Sequence, residues 1–153
     1  MKIITIIGTR PQLIKSTIVS QKLREAGIKE IVIHTGQHYD NNMSGIFFDD
    51  LKLPKPDYFI GIRSDFHGDQ TGKMLIEIEK ILMEKECDFV LVYGDSNTTL
   101  AGVLAAIKLH IPVVHIEAGL RSYNKKMPEE INRIVTDHIS QILFAPTDFA
   151  VTN

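Results

Sequence analysis

Asp95 and Glu117 each stand just past a short apolar run, Phe89–Tyr93 in one case and Val113–Ile116 in the other. A carboxylate at the edge of a buried segment is costly unless it is paired or put to use, so both are candidates for proton transfer. Asp95 also precedes a helical segment, whose amino end favours the ionised form and suits a base or an electrostatic role; the structural alternative is a helix cap. For Glu117 the alternative is an ion pair with Arg121. Glu129 and Glu130 follow Pro128 in what reads as a first helical turn, where acidic residues also occur merely because they complement the helix dipole. Arg10 and Lys15 are candidate anion binders. Arg10 falls at a helix amino end and Lys15 lies about one turn on, leaning back toward it, so one diphosphate could meet both. Solvated cations on an ordinary helix are the alternative. His38 and His115 are either acid–base groups or hydrogen-bonded structural histidines.

These residues need a scaffold that gathers loops. Lys2–Ile7, Phe89–Tyr93 and Val113–Ile116 are continuous β-rich runs rather than alternating ones, as in strands covered on both faces. Residues 11–26 predict a helix with Ile14, Ile18, Val19, Leu23 and Ala26 on one face, and a second strand over 30–35 follows Gly27. Further helices are expected over 71–86, over 98–109 and from Pro128 to about residue 139, with a short strand at 143–145 and a new helix opening at Thr147. The 98–109 helix is apolar on nearly every side, so it should pack against more than one neighbour. Right-handed crossovers wind such units into a Rossmann-like α/β domain, an open parallel sheet with helices on both faces. Ligands of such sheets bind beyond the carboxyl ends of the strands. The loops 8–11, 35–39, 94–99 and 117–122 should therefore border one crevice.

The whole chain agrees with one soluble domain: 153 residues, 44% hydrophobic and 24% charged. Its apolar runs fall far short of the ~20 residues that span a bilayer, and it opens directly in a strand-like run rather than a signal peptide. No membrane partner is expected. The single cysteine, Cys87, cannot form an internal disulfide and suits a reducing cytoplasm. A net charge of −2 and a pI near 6.3 leave no basic footprint for nucleic acid. No His/Cys cluster has metal-ligand spacing, and neither the dinucleotide fingerprint nor the P-loop pattern occurs.

Taken in order, six motifs resemble the non-hydrolysing UDP-N-acetylglucosamine 2-epimerase family. They are Gly8-Thr9-Arg10-Pro11, His34-Thr35-Gly36-Gln37-His38, Tyr93-Gly94-Asp95-Ser96, His115-Ile116-Glu117-Ala118-Gly119-Leu120-Arg121, Pro128-Glu129-Glu130-Ile131-Asn132-Arg133 and Pro146-Thr147. The resemblance implies the amino-terminal half of a glycosyltransferase-B-type fold, with residues 1–153 forming a nearly complete first domain and a UDP-binding second domain lying outside this chain. It implies Asp95, Glu117 and Glu129 as the catalytic acids and bases. Arg10, Lys15, Asp95, Glu117, Gln37 and His38 are the implied substrate-binding group. It also implies a UDP-sugar and UDP as ligands, a homodimer formed through this domain, and no cofactor.

The implied reaction makes chemical sense. The C2 proton of a closed pyranose is not activated by a neighbouring carbonyl, so direct removal and return is difficult. Elimination of UDP to a 2-acetamidoglucal, followed by re-addition, avoids that barrier. It needs acid–base groups on both faces of C2 and cations for the departing diphosphate. Two departures bear on the substrate and its regulation. Gln12 stands where the commonest family pattern has Glu, which with Met127-Pro128-Glu129-Glu130-Ile131-Asn132-Arg133 resembles the branch acting on UDP-2,3-diacetamido-2,3-dideoxy-glucuronate. Tyr39 follows Gln37-His38 where members with an activating second UDP-sugar site carry Arg. A non-catalytic dimerisation or binding module, using helix 98–109, is the expectation of another class. A glycosyltransferase fragment shares the fold but not the spacing of the three acidic residues. The chain by itself should lack turnover.

Overall fold

The computed structural model describes residues 1–37, 55–64 and 66–153. In chain order these form β1 (Lys2–Ile7), α1 (Arg10–Glu25), β2 (Lys29–His34), β3 (Tyr58–Phe59), α2 (His67–Glu84), β4 (Phe89–Tyr93), α3 (Asn97–Lys108), β5 (Val113–Ile116), α4 (Pro128–Ile139), β6 (Ile142–Phe144) and α5 (Asp148–Val151). The strands make one parallel six-stranded sheet in the order β3-β2-β1-β4-β5-β6. Strand order thus reverses between β1 and β4. This is the Rossmann-like α/β architecture expected, and the reversal is where such sheets open a ligand crevice.

The pleat sends alternate residues of each central strand to opposite faces. Ile4, Ile6, Val90 and Val92 pack beneath Met74, Ile78 and Leu82 of α2 and the small residues Ala101, Val103, Ala105 and Ala106 of α3. Ile3, Ile7, Leu91, Tyr93 and Val114 face the other way, toward Leu13 of α1. Helix α3 is wedged between α2, α4 and the sheet, which uses up the apolar sides the sequence showed. The second face is less fully covered. Beside α1, the sheet residues Leu91, Val114, Ile116, Ile142 and Phe144 line an apolar groove of about 590 Å³.

Three local expectations change. Helix α1 does not turn Ile14 and Ile18 inward: they are 47% and 69% exposed, and Ala26 is exposed too, while Gln12, Leu13, Ser16 and Ser20 are buried. The seat beneath this helix is polar. Thr5 Oγ1 of β1 and Ser20 Oγ both donate to Glu30 Oε1 of β2, at 2.6 and 3.0 Å. Helix α2 begins at His67, four residues before the predicted start, with Phe66 at the cap and no side-chain cap bond. The edge strand β3 pairs only Tyr58 and Phe59 with β2, too short a run to show in the sequence pattern. Among the described residues no helix is long and apolar enough to cross a membrane.

Candidate active site

A crevice of about 450 Å³ opens at the carboxyl end of the sheet, where strand order reverses. Thr9, Pro11, Gln12 and Lys15 line it from the β1–α1 corner, Gln37 from beyond β2, and Gly94, Asp95, Ser96 and Asn97 from the β4–α3 loop. Glu117 enters after β5, Glu129 and Asn132 from α4, and Ser64, His67 and Gln70 from the start of α2. Lys15, Gln37, Asp95, Glu117 and Glu129 are therefore brought together. Arg10 is exposed on the first turn of α1, outside the crevice lining. His38 and the neighbouring Tyr39 lie outside the described residues.

Two left-handed turns aim the acidic pair. Gly94 has φ 61° and Glu117 has φ 72°. For a residue with a side chain that conformation costs of order 1–2 kcal/mol, so the surrounding contacts must hold it. Gly94 N–H donates to Ile116 C=O at 3.0 Å, and the Glu117 and Ala118 N–H groups both donate to Phe144 C=O, at 3.0 and 3.1 Å. The two turns meet closely: a Cβ built on Gly94 would stand 3.3 Å from Glu117 Oε2. That same oxygen pairs with Lys15 Nζ at 2.5 Å. Gly8 permits the third approach, since a Cβ there would meet Thr35 Oγ1 and Thr98 Oγ1 at 2.1 and 2.2 Å. Gln37 then fastens the β2 end to α3, its Oε1 accepting from Thr98 N–H at 2.9 Å.

The structural alternatives fall to other residues. Ser96, not Asp95, caps α3, its Oγ accepting from Thr99 N–H at 3.4 Å. Asp95 Oδ2 instead pairs with Arg133 Nη2, while Arg133 Nη1 donates to Glu130 at 2.6 Å. Arg121 pairs with Asp137 at 2.6 Å rather than with Glu117. Glu129 makes no hydrogen bond to another described residue and lines the crevice.

Beneath the crevice lies a layer of buried polar side chains bonded to one another. Glu130 is 1% exposed and accepts from Ser122 N–H and Oγ, from Tyr123 N–H and from Arg133. The Ser122 backbone N–H above all, against the opposing effect of burial, holds its carboxyl down to about 2. His115 is fully buried, with Nδ1 2.6 Å from Asp137 Oδ1 and Nε2 2.7 Å from Gly94 C=O. It is a strut between β5, α4 and the Asp95 turn, with no face on the crevice. Burial pushes the Asp137 carboxyl up, but His115, Arg121 and the Gly119 N–H together hold it below its ordinary value.

Several neighbours in the crevice are given no structural place by the sequence, where Gln12 stands out only as a departure from the family pattern. Gln12 is 4% exposed; its Oε1 accepts from the Gly8 and Thr9 N–H groups at 2.9 and 3.2 Å. Its Nε2 donates to Tyr93 C=O, Ser96 Oγ and Thr99 Oγ1 at 2.8, 2.9 and 3.0 Å, tying the Lys15 corner to the Asp95 turn. Its regular spacing with Ser16 and Ser20 was the available signal. His67, Gln70, Asn97 and Asn132 join the crevice lining, and nothing in their spacing marks them. Among the described residues no group of three or more His, Cys, Asp or Glu side chains is placed to hold a metal ion.

A parallel sheet with a crevice at its reversal point, lined by Asp95, Glu117, Glu129 and Lys15, defines a Rossmann-like α/β domain with a candidate ligand site. The sequence model of the family described as UDP-N-acetylglucosamine 2-epimerase matches residues 21–153, and the chain belongs to that family. It is 58% identical over 154 residues to the UDP-2,3-diacetamido-2,3-dideoxy-D-glucuronate 2-epimerase of Pseudomonas aeruginosa, covering 100% of this chain and 44% of that protein. It is 56% identical over 153 residues to the UDP-N-acetylglucosamine 2-epimerase of Methanocaldococcus jannaschii, covering 100% of this chain and 42% of that one. The crystal structure of the M. jannaschii enzyme in complex with UDP-GlcNAc and UDP superposes with a TM-score of 0.96 at 55% identity, over 99% of this chain and 42% of that chain. Acinetobacter baumannii MurG, at 15% identity and a TM-score of 0.63, shares the fold alone. The chain spans less than half the length of the relatives it matches.

Proposed function

We propose that this chain is the first domain of a sugar-nucleotide 2-epimerase that interconverts UDP-N-acetylglucosamine and its 2-epimer, UDP-N-acetylmannosamine. One observation carries the reading: Asp95, Glu117 and Glu129 converge on one crevice with Lys15 beside them. One carboxylate removes the C2 proton as the C1–O bond breaks, and the electron pair of the C2–H bond becomes the C1–C2 double bond. UDP leaves with the electrons of the bond to C1. Return of a proton to the opposite face of C2, with re-addition of the UDP oxygen to C1, gives the epimer. Lys15 balances the diphosphate charge that grows during departure, while Arg10, outside the crevice lining, adds a more distant positive charge. The left-handed turn at Glu117 is the kind of strain that accumulates where a side chain must be aimed.

A second domain supplies the uridine-binding side, so the 153-residue chain alone has no turnover. In the parent protein we place the enzyme in the cytoplasm as a homodimer through this domain. Cys87 fits that compartment as an unactivated thiol, its pKa pushed up by burial. The near-equal similarity to the P. aeruginosa enzyme supports a second substrate, UDP-2,3-diacetamido-2,3-dideoxy-glucuronate, on the same chemistry. The test is turnover by the parent protein in deuterium oxide with each sugar nucleotide. Deuterium at C2 of the product is expected, and product without it excludes elimination and re-addition.

A further inference from the structure

Four side chains in the crevice lining form a hydrogen-bonded chain with only one possible direction. It starts at the Asp95 backbone carbonyl, which can only accept, so the Asn132 group 2.9 Å away must be its NH₂. The same NH₂ also donates to Asn97 Oδ1 at 3.2 Å, which leaves Asn97 Nδ2 facing outward. That amide donates to Gln70 Oε1 at 2.9 Å and meets His67 Nδ1 at 3.0 Å. Gln70 Nε2 then points to Ser64 C=O at 3.4 Å, in agreement with the same direction. An NH₂ group has no lone pair to offer, so His67 Nδ1 must be the acceptor and the neutral ring carries its proton on Nε2. Nε2 has no partner among the described residues, and His67 is an exposed member of the crevice lining.

We infer that His67 is a substrate-facing hydrogen-bond donor, its tautomer set by the Asn132–Asn97 amides, and that its Nε2–H binds the carbonyl oxygen of the sugar's acylamino group. This rests on the sugar-nucleotide reading above. The crevice carboxylates offer acceptors, which suit hydroxyl groups and a proton to be removed. An amide carbonyl needs the opposite partner, and an uncharged N–H supplies it without drawing the diphosphate away from Lys15. The acylamino group is common to both candidate substrates, so His67 serves either.

The tautomer and the ligand are separable by NMR on the isotopically labelled chain. Long-range ¹H–¹⁵N correlation of the unliganded chain should show an unprotonated Nδ1 and a protonated Nε2 for the neutral His67 ring. Asn97→Asp replaces the donor by a carboxylate and should move a proton onto Nδ1. An Nδ1–H ring in the unsubstituted chain, or no response to Asn97→Asp, overturns the relay. UDP-N-acetylglucosamine and UDP-glucose, which differ at C2 in the acylamino group, are then titrated against the parent protein and against its His67→Ala variant. Loss of roughly three- to tenfold in affinity for the first sugar nucleotide alone is expected, the worth of one hydrogen bond. Equal loss for both, or none, overturns the assignment of His67 to that group. Binding of neither sugar nucleotide by the parent protein overturns the functional reading and the ligand assignment with it, while the tautomer measurement still decides the relay.

Discussion

Five acidic side chains occupy two levels of the same corner of the molecule, and they differ in how many donors reach them. Glu130 and Asp137, in the lower level, are nearly inaccessible and meet backbone N–H groups as well as cations. Asp95 and Glu117, in the upper level, each have a single cationic partner on one oxygen, and Glu129 has none among the described residues. Donors on both oxygens make Glu130 and Asp137 ties between loops and favour their ionised forms, whereas Asp95, Glu117 and Glu129 line the crevice with fewer partners. The two levels are wired to each other through Arg133, which touches both Asp95 and Glu130. The upper level is therefore placed by the lower one, and removal of either should fail in a different way.

The largest separation is expected in turnover. On the proposed function, Glu129→Gln and Glu117→Gln in the parent protein should each reduce the rate of C2 deuterium incorporation by about 10²–10⁴-fold, the usual worth of a positioned acid or base. Glu129→Gln breaks no contact with a described residue, so its unfolding free energy should stay within about 0.5 kcal/mol of the parent in urea titration. Asp137→Ala reverses the pattern: it strands His115 and Arg121 without their buried partner and should cost about 3–5 kcal/mol in the same titration. Comparable instability in both variants would erase the distinction between the levels. Gly119→Ala comes next. Gly119 has φ 77°, and an added Cβ would stand 2.1 Å from Ala150 C=O, so a loss of about 2 kcal/mol or more is expected together with a displaced Glu117 turn.

The levels were unequally legible in the sequence. Asp95 and Glu117 announced themselves because a charged residue ending an apolar strand has few structural uses, and strand ends are easy to locate. Glu129 had an adequate explanation as a first-turn acid, and only the resemblance singled it out. Its neighbour Glu130 was given the same explanation, yet it is the buried one, because which of two adjacent helical residues faces inward depends on packing against α3. Helix α1 misled for a related reason. Pattern reading assigns isoleucines to the inside, whereas Gln12 and Ser20 hold that side because the Tyr93 carbonyl and Glu30 need partners there, and the buried Ser16 hydroxyl donates back to Leu13 C=O. Hydrophobic periodicity finds cores made of apolar contacts; it does not find a seat made of hydrogen bonds. The His67 wall was hidden likewise, since its residues meet only when α2, α3 and α4 pack.

The smallest expected effect tests the lower level by pH alone. The Glu130 carboxyl is held down to about 2, against an ordinary value of 4.5, first by the Ser122 N–H and then by its other donors, against the cost of burial. Between those two values the unfolded chain binds more protons at this site than the folded chain does, so stability rises with pH across the window. The contribution is complete above pH 4.5 and is lost as pH falls toward about 2. Asp137, also lowered, adds a slope of the same sign. Glu130→Gln cannot titrate, so its unfolding midpoint in urea should fall less steeply with acid than that of the parent chain, while lying below it at neutral pH. Parallel pH profiles for the two chains would mean that the donors around Glu130 do not favour its ionised form. The contrast between committed and available carboxylates would then lose its physical basis.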